Sequence, residues 1–391
     1  MASTKTKTKK KSVVVVVGAS FAGQKVAKQV QKLAGSSLHV VTIDAKGYFE
    51  YYPSTLRCMV EPSKANATVL PLEASGEMLV DEVLKIALKT ETENQRVILA
   101  SGREISFDYV VIATGSTYSD PIKTFEKVER DERVEKRREE LSSECKRIEE
   151  AESIVVLGGG PVGVELAAEL AGKFRKTVRR RQKRITLCSK SERLLPQMHR
   201  RASDFAEKWL RRANVDIRLG TDGGKLVDGA DIVYRCFGSA ANASFECELS
   251  QAEEGKGFLV RSTMQSVSSD AVFVVGDAAC CETSTSEKTA FSADVQALVA
   301  ARNIAKLACE SKEPLDVFPE SVCHGKPLPL ILCISLYKYS GTFQIGSLVI
   351  NGYLASVMKN TIEYFQLQIA RNGPIPSTVW GIFERITLFL F

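Results

Sequence analysis

The sequence predicts an α/β fold with two parallel-sheet domains, the first split by insertion of the second, and a small α+β segment at the end. Two glycine-rich turns and two later apolar strands predict it. The first turn is VVVVVGASFAG, Val13 to Gly23, and the second is IVVLGGGPVG, Ile154 to Gly163. Each is a β-branched run, a tight turn and a helical pattern: QKVAKQVQKL after the first, VELAAEL after the second. Glycines at such a turn let the backbone approach a pyrophosphate held at a helix N-terminus, so both read as Rossmann-like dinucleotide sites. The later strands are FDYVVIATGS, Phe107 to Ser116, and AVFVVGDAA, Ala271 to Ala279.

Two dinucleotide sites in one chain point to a flavin and a nicotinamide cofactor exchanging a hydride. At the first turn the expected contacts are Gly18, Ala19, Ser20, Phe21, Ala22 and Gly23. Ser20 replaces the middle glycine; it crowds the pyrophosphate slightly, and its hydroxyl can donate to it. The next strand, LHVVTID, ends at Asp44, an acid about 20 residues past the glycines, which suits adenosine ribose hydroxyls. Ala45 and Lys46 follow it, and Arg57 and Val83 complete that side of the expected set. The Phe107–Ser116 strand ends in Ala113, Thr114 and Gly115, where the chain turns close to a ligand. The Ala271–Ala279 strand ends in Gly276 and Asp277, whose carboxylate can accept from a ribityl hydroxyl.

The second turn keeps three glycines, Gly158, Gly160 and Gly163, with Pro161 and Val162 inside it. Its second strand, RITLCSKSERLL, has Cys188-Ser189 where an NAD-specific enzyme places an acid, followed by Lys190 and Arg193. No carboxylate repels a 2′-phosphate there, and two cations can pair with one, which predicts that NADPH serves at least as well as NADH. The alternative is two solvated loop charges. The domain closes with DIVYRCFGSAAN, a strand ending at Gly238. Glu165 falls in the first helical turn, either as a dipole partner or as a hydrogen-bonding group for the nicotinamide amide or for a lysine near the flavin.

Composition fits two or three globular domains: 391 residues, 44% hydrophobic, net charge +6. Much of the excess charge lies in the tail MASTKTKTKKK and in KFRKTVRRRQKR, Lys173 to Arg184, read as a solvated loop at the far end of its strand from the cofactor. Specific nucleic-acid binding is not expected from these charges. Ten cysteines lie scattered without a disulfide framework; Cys188, Cys236 and Cys333 sit in apolar strand patterns, and a reducing, cytoplasmic compartment is expected. No metal-ligand cluster is expected. No apolar run is long enough to span a bilayer, and Ala2 stands where N-myristoylation needs glycine.

The expected organisation is a basic tail over 1–12, a flavin domain over 13–122 and 243–317, a nicotinamide domain over 123–242 and a C-terminal domain over 318–391. Lys127 to Ser153 is densely charged and reads as a solvated helix. SADVQALVAARNIAKLA reads as a helix. The C-terminal domain reads as strands around an Asn351-Gly352 turn, then the helix YLASVMKNTIEYFQLQIA, then STVWGIFERITLFLF.

This order resembles the pyridine nucleotide-disulfide oxidoreductase superfamily across nearly the whole chain. The disulfide-reductase branches need a CxxxxC or CxxC pair; the stretch after Asp44 has only Cys58, and Cys280-Cys281 are adjacent. With no dithiol relay, electrons leave the flavin directly. KGYFEYYPSTLRCMVEP, Lys46 to Pro62, with VVIATGSTYS and VFVVGDAA, resembles the apoptosis-inducing-factor-like flavoproteins, and most of all the ferroptosis suppressor protein group. That resemblance implies an FAD-dependent NAD(P)H:quinone oxidoreductase acting on ubiquinone-type quinones at a membrane surface. It also implies Lys288 beside the flavin ring, with Ala290 next to it and Phe291 near the quinone path. Thr289-Ala290-Phe291-Ser292-Ala293 departs from the A-Q-x-A motif of the related type II NADH dehydrogenases. The C-terminal Trp380, Ile382, Phe383, Ile386, Leu388, Phe389, Leu390 and Phe391 suit an interfacial anchor, helped by the basic N-terminus; packing on the chain's own domain or on a homodimer partner is the alternative. A lipid droplet, the plasma membrane and the mitochondrial surface are the candidate membranes. Rival readings are reduction of a one-electron carrier, reduction of monodehydroascorbate, and a cell-death or nucleic-acid-binding effector with a structural flavin.

Overall fold

The computed structural model describes residues 11–73, 76–123, 132–180, 182–253, 255–281 and 288–390. The basic tail expected at the N-terminus and the side chains of residues 388–391 lie outside the described residues. The chain forms two compact units, each with a sheet of the dinucleotide-binding kind, largely parallel in the first and all parallel in the second.

The first unit comprises residues 1–45, 74–115 and 241–325. Its eight-stranded sheet places Ser12–Val17 between Leu38–Ile43 and Tyr109–Ile112, both parallel to it, with Ser269–Val274 parallel on the far side of Tyr109–Ile112. Val14, Val15 and Val16 are fully buried, which is why the β-branched run is continuous rather than alternating. Strand order reverses at Ser12–Val17, so the Gly18 turn lies at a switch point, where open α/β sheets bind ligands. The Phe21–Ala34 helix packs along the Ala290–Ala308 helix. The latter is the predicted SADVQALVAARNIAKLA helix, begun two residues earlier and capped by the Thr289 hydroxyl, which accepts from Ser292 N at 3.1 Å.

The second unit comprises residues 46–73, 116–240 and 326–391. Its parallel sheet has the order Asp216–Arg218, Arg184–Cys188, Ser153–Leu157, Ile232–Arg235. The Arg133–Glu150 helix is not the solvated element expected: Val134, Leu141, Cys145 and Ile148 form a buried stripe under the charges. Arg137 is buried with them and pairs with the equally buried Glu50 at 3.1 Å. The basic run is also partly structured rather than a loop: Arg175–Arg179 is a short helix with Val178 buried. Lys183 is buried at the end of the Arg133–Glu150 helix and donates to the carbonyls of Ile148 and Ala151.

Residues 46–73, assigned from sequence to the flavin domain, lie in this unit because Leu56, Met59, Val60, Ala65 and Val69 join the core built by Leu141, Ile148, Val164 and Leu166. The segment from residue 326 joins it through Ile334 and Leu336. That segment is a three-stranded antiparallel sheet, Ile331–Ser335, Gly341–Ile345 and Leu348–Asn351, then helices Tyr353–Ala370 and Pro374–Leu390. The hairpin turns at Gly346 and Ser347, not at Asn351-Gly352. Gly352, at φ +90°, instead breaks the last strand and begins the helix.

Candidate active site

In the first unit, backbone proximity shapes the turn. Gly18 has φ +98°, and a Cβ there would lie 2.4 Å from the Ala113 carbonyl oxygen. A Cβ on Gly23 would lie 1.8 Å from the Gly18 carbonyl oxygen, so the helix descends directly onto the turn. Ala19 N donates to Asp44 Oδ2 at 2.8 Å, fixing the buried carboxylate across the turn. Ser20 stands at the N-terminus of the Phe21–Ala34 helix, whose first turn has no acidic residue. The Ser20 hydroxyl oxygen is buried and has no hydrogen-bond partner among the described residues. An orphaned hydroxyl at the positive end of a helix is what a pyrophosphate oxygen satisfies, so the residues present fit a bound dinucleotide.

Around that turn, Thr114 Oγ1 donates to Asn242 O at 2.6 Å, and Gly115 O accepts from Asn242 N at 2.9 Å. Gly276 N donates to Gln296 Oε1 at 2.7 Å. Lys288 is exposed, and its ammonium donates to the carbonyls of Asp277 at 2.8 Å and Lys256 at 2.9 Å. Phe291 is half-buried and Ala290 exposed in the first turn of their helix; Val83 is buried in an antiparallel strand of the same unit.

The second unit repeats the geometry. A Cβ on Gly158 (φ +120°) would lie 2.7 Å from Cys236 O, and one on Gly163 would lie 1.9 Å from Gly158 O. Among the described residues, nothing lies within 4 Å of a would-be Cβ on Gly160, the N-cap of the following helix, or on Gly238. Pro161 and the half-buried Val162 begin the Pro161–Lys173 helix. Ser189 is buried, its N donating to Arg218 O at 2.8 Å. Lys190 is exposed. Arg193, expected to face a phosphate, donates instead to the carbonyls of Met198 at 3.0 Å, Leu195 at 3.4 Å and Pro196, bracing its own loop. That leaves Lys190 as the member of the pair turned to solvent.

From the second turn of the same helix a buried charge network extends within the second unit. Glu165 does meet a lysine, but it is Lys359, in the Tyr353–Ala370 helix. Ser335 N and Oγ donate to Glu165 Oε1 at 2.7 and 3.0 Å, and Lys359 Nζ donates to Ser335 Oγ at 3.2 Å. One turn on, Glu169 receives Arg57 Nη2 at 2.7 Å. Burial works against the Lys359 ammonium, but the Glu165 carboxylate more than offsets it and holds the lysine above its ordinary range. Burial raises Glu169, with Arg57 opposing, and burial pushes the neighbouring Cys333 thiol up to about 12. Lys46 is half-buried, donating to Tyr52 OH at 2.8 Å. Lys359, Ser335 and Glu169 were not expected from sequence. The signal for Lys359 was its register: Ala355, Lys359, Glu363 and Leu367 share one helix face, and Ala355, Glu363 and Leu367 are buried.

Residues 12–302 match the pyridine nucleotide-disulphide oxidoreductase family. Apoptosis-inducing factor 1 of Saccharomyces cerevisiae is 30% identical over 291 residues, covering 68% of this chain and 73% of the relative. Human ferroptosis suppressor protein 1 is 26% identical over 370 residues, covering 89% and 92%. Among solved structures, the sulfide:quinone oxidoreductase of Aquifex aeolicus shares the fold with a TM-score of 0.71 at 16% identity, covering 95% of each chain. NDH2 of Plasmodium falciparum in complex with NADH shares it at 0.68 and 14%, covering 95% of this chain and 97% of that one.

Proposed function

The chain belongs to the pyridine nucleotide-disulphide oxidoreductase family, and from that we propose that it reduces a ubiquinone-type quinone with NAD(P)H at a membrane surface. It is a pyridine-nucleotide-dependent flavin oxidoreductase with FAD and NAD(P)H as cofactors. Bound FAD supplies the two-electron chemistry; the protein supplies binding, orientation and electrostatics.

Within the second unit, the largely buried Glu165–Lys359 pair supports the quinone reading. An ammonium has three N–H donors. Among the described residues, Lys359 gives two of them, to Glu165 Oε1 and Ser335 Oγ. A largely buried ammonium stabilises negative charge developing on a carbonyl oxygen, which is what a quinone acquires on reduction. Ferroptosis suppressor protein 1 relatives and the resemblance of Lys46 to Pro62 support the same substrate class. Glu165 then acts by holding Lys359. Lys288, by its bonds to the Asp277 carbonyl, positions the Gly276-Asp277 turn, and Phe291 lies one turn along from it. Lys190 is assigned to the coenzyme 2′-phosphate.

The membrane reading rests on the last helix. No helix among the described residues is long and apolar enough to cross a bilayer. Pro374–Leu390 nevertheless exposes Ile375, Val379, Ile382, Phe383 and Ile386, spaced along one face. Such a stripe suits insertion at the headgroup boundary.

Steady-state kcat/KM for NADPH and NADH, with a short-chain ubiquinone as acceptor, tests both the acceptor and the coenzyme assignment. The protein should form hydroquinone with either coenzyme, and Lys190→Glu should lose about tenfold for NADPH alone. An unchanged ratio removes Lys190 from the site, and coenzyme oxidation without hydroquinone removes the quinone.

A further inference from the structure

A cavity of about 460 Å³ opens within the second unit beside the Tyr353–Ala370 helix. Its lining includes Arg57, Lys64, Lys338 and Arg371, with one carboxylate, Glu363, and with Tyr339 and Tyr364. Three of the cations are paired, and in each pair the carboxylate is the deeper partner. Lys64 is 37% exposed against 12% for Glu363, at 2.6 Å. Lys338 is 37% exposed against 20% for Glu61, at 2.7 Å. Arg57 is 19% exposed against 2% for Glu169. The mouth therefore presents ammonium and guanidinium groups outward over neutralising acids. Among the described residues, Arg371, also exposed, donates to the Ala67 carbonyl at 3.3 Å, and its guanidinium has further donors that suit an oxyanion.

Arg371 ends the helix, and the apolar Pro374–Leu390 helix begins three residues later. Tyr339 and Tyr364 are 72% and 58% exposed at the same mouth, the placement of interfacial aromatics. We infer that this cavity binds the phosphate-bearing headgroup of an anionic phospholipid, seating the C-terminal helices at an acidic membrane. The volume lies in the range of small-molecule sites. The inference rests on the membrane reading above and adds lipid selectivity to it.

The test is co-sedimentation of the full-length flavoprotein with vesicles of phosphatidylcholine alone and of phosphatidylcholine with phosphatidic acid. Three proteins are compared: wild type, Arg371→Gln/Lys338→Gln, and a truncation after Ser377. Wild type should bind the acidic vesicles more tightly. The double variant should lose about 30-fold of that gain, roughly fivefold per cation, while binding phosphatidylcholine as wild type does and keeping its melting temperature. The truncation should lose binding to both. A double variant that keeps the acidic preference, or a wild type with none, overturns the headgroup site and leaves the membrane reading standing. Wild type that binds neither vesicle overturns both. Inorganic phosphate that raises the melting temperature of wild type but not of the double variant, without any vesicle preference, assigns the cavity to a soluble phosphate instead.

Discussion

Replacing Lys359 with Met is expected to destabilise the second unit by about 3–5 kcal/mol, because it leaves the Glu165 carboxylate buried without its cation. Quinone turnover should fall by about 100-fold, the scale of removing one oriented donor from a developing oxyanion. The two effects separate in Lys359→Met/Glu165→Gln. That variant removes both charges, so urea unfolding should return close to the wild-type midpoint while quinone turnover stays low. Ferricyanide, which needs no donor to a carbonyl oxygen, should still be reduced at a near-normal rate by the double variant. Loss of both acceptor activities in parallel would make the pair purely structural.

The same pair sets a pH dependence. The folded pKa of Lys359 is raised above its unfolded value, so its contribution to stability is fully present below the ordinary lysine range. It is lost as pH rises through the folded value. Wild type should therefore lose stability at alkaline pH more steeply than the double variant.

The second large effect is expected at the two helix-descent glycines. A methyl group at Gly23 or Gly163 would lie under 2 Å from a carbonyl oxygen of its own turn. No side chain can rotate away from a backbone atom there, so the turn itself must open. Overpacking of this kind costs about 3 kcal/mol, equivalent to roughly 100-fold in nucleotide affinity. Gly23→Ala should purify without flavin colour. Gly163→Ala should purify yellow, with KM for NAD(P)H raised about 100-fold and little change in flavin content. Reversal of these phenotypes would exchange the cofactors between the two units; a yellow Gly23→Ala protein with wild-type KM would remove the first turn from cofactor binding.

The two turns were legible because their requirement is local. Gly18, Gly23, Gly158 and Gly163 are needed where a strand, a turn and a helix meet within a dozen residues, and no distant residue changes that need. Asp44 was legible for the same reason, through its position at the end of the neighbouring strand. Partners supplied by remote segments were not. Glu165 could be read as an acid wanting a lysine, but 194 positions separate it from Lys359, and no periodicity in either helix links them. The Arg133–Glu150 helix looked solvated because most of its residues are charged, yet Val134, Leu141, Cys145 and Ile148 recur on one face, and Glu50 offsets the buried Arg137. For Arg193 the sequence leaves phosphate pairing and a loop role open, because loop carbonyls compete for a guanidinium as well as a phosphate does, and a sequence does not show where carbonyls point.

Electrons should pass from NAD(P)H through bound FAD to a quinone. An anaerobic absorbance titration of the purified flavoprotein follows that transfer, adding NADH or NADPH and then a short-chain ubiquinone. The flavin band should bleach with either nucleotide and return in full when one equivalent of quinone is added. A band that bleaches and stays bleached in the presence of quinone, yet recovers with a one-electron acceptor, would contradict the quinone assignment. A band that neither nucleotide bleaches would contradict the enzyme itself.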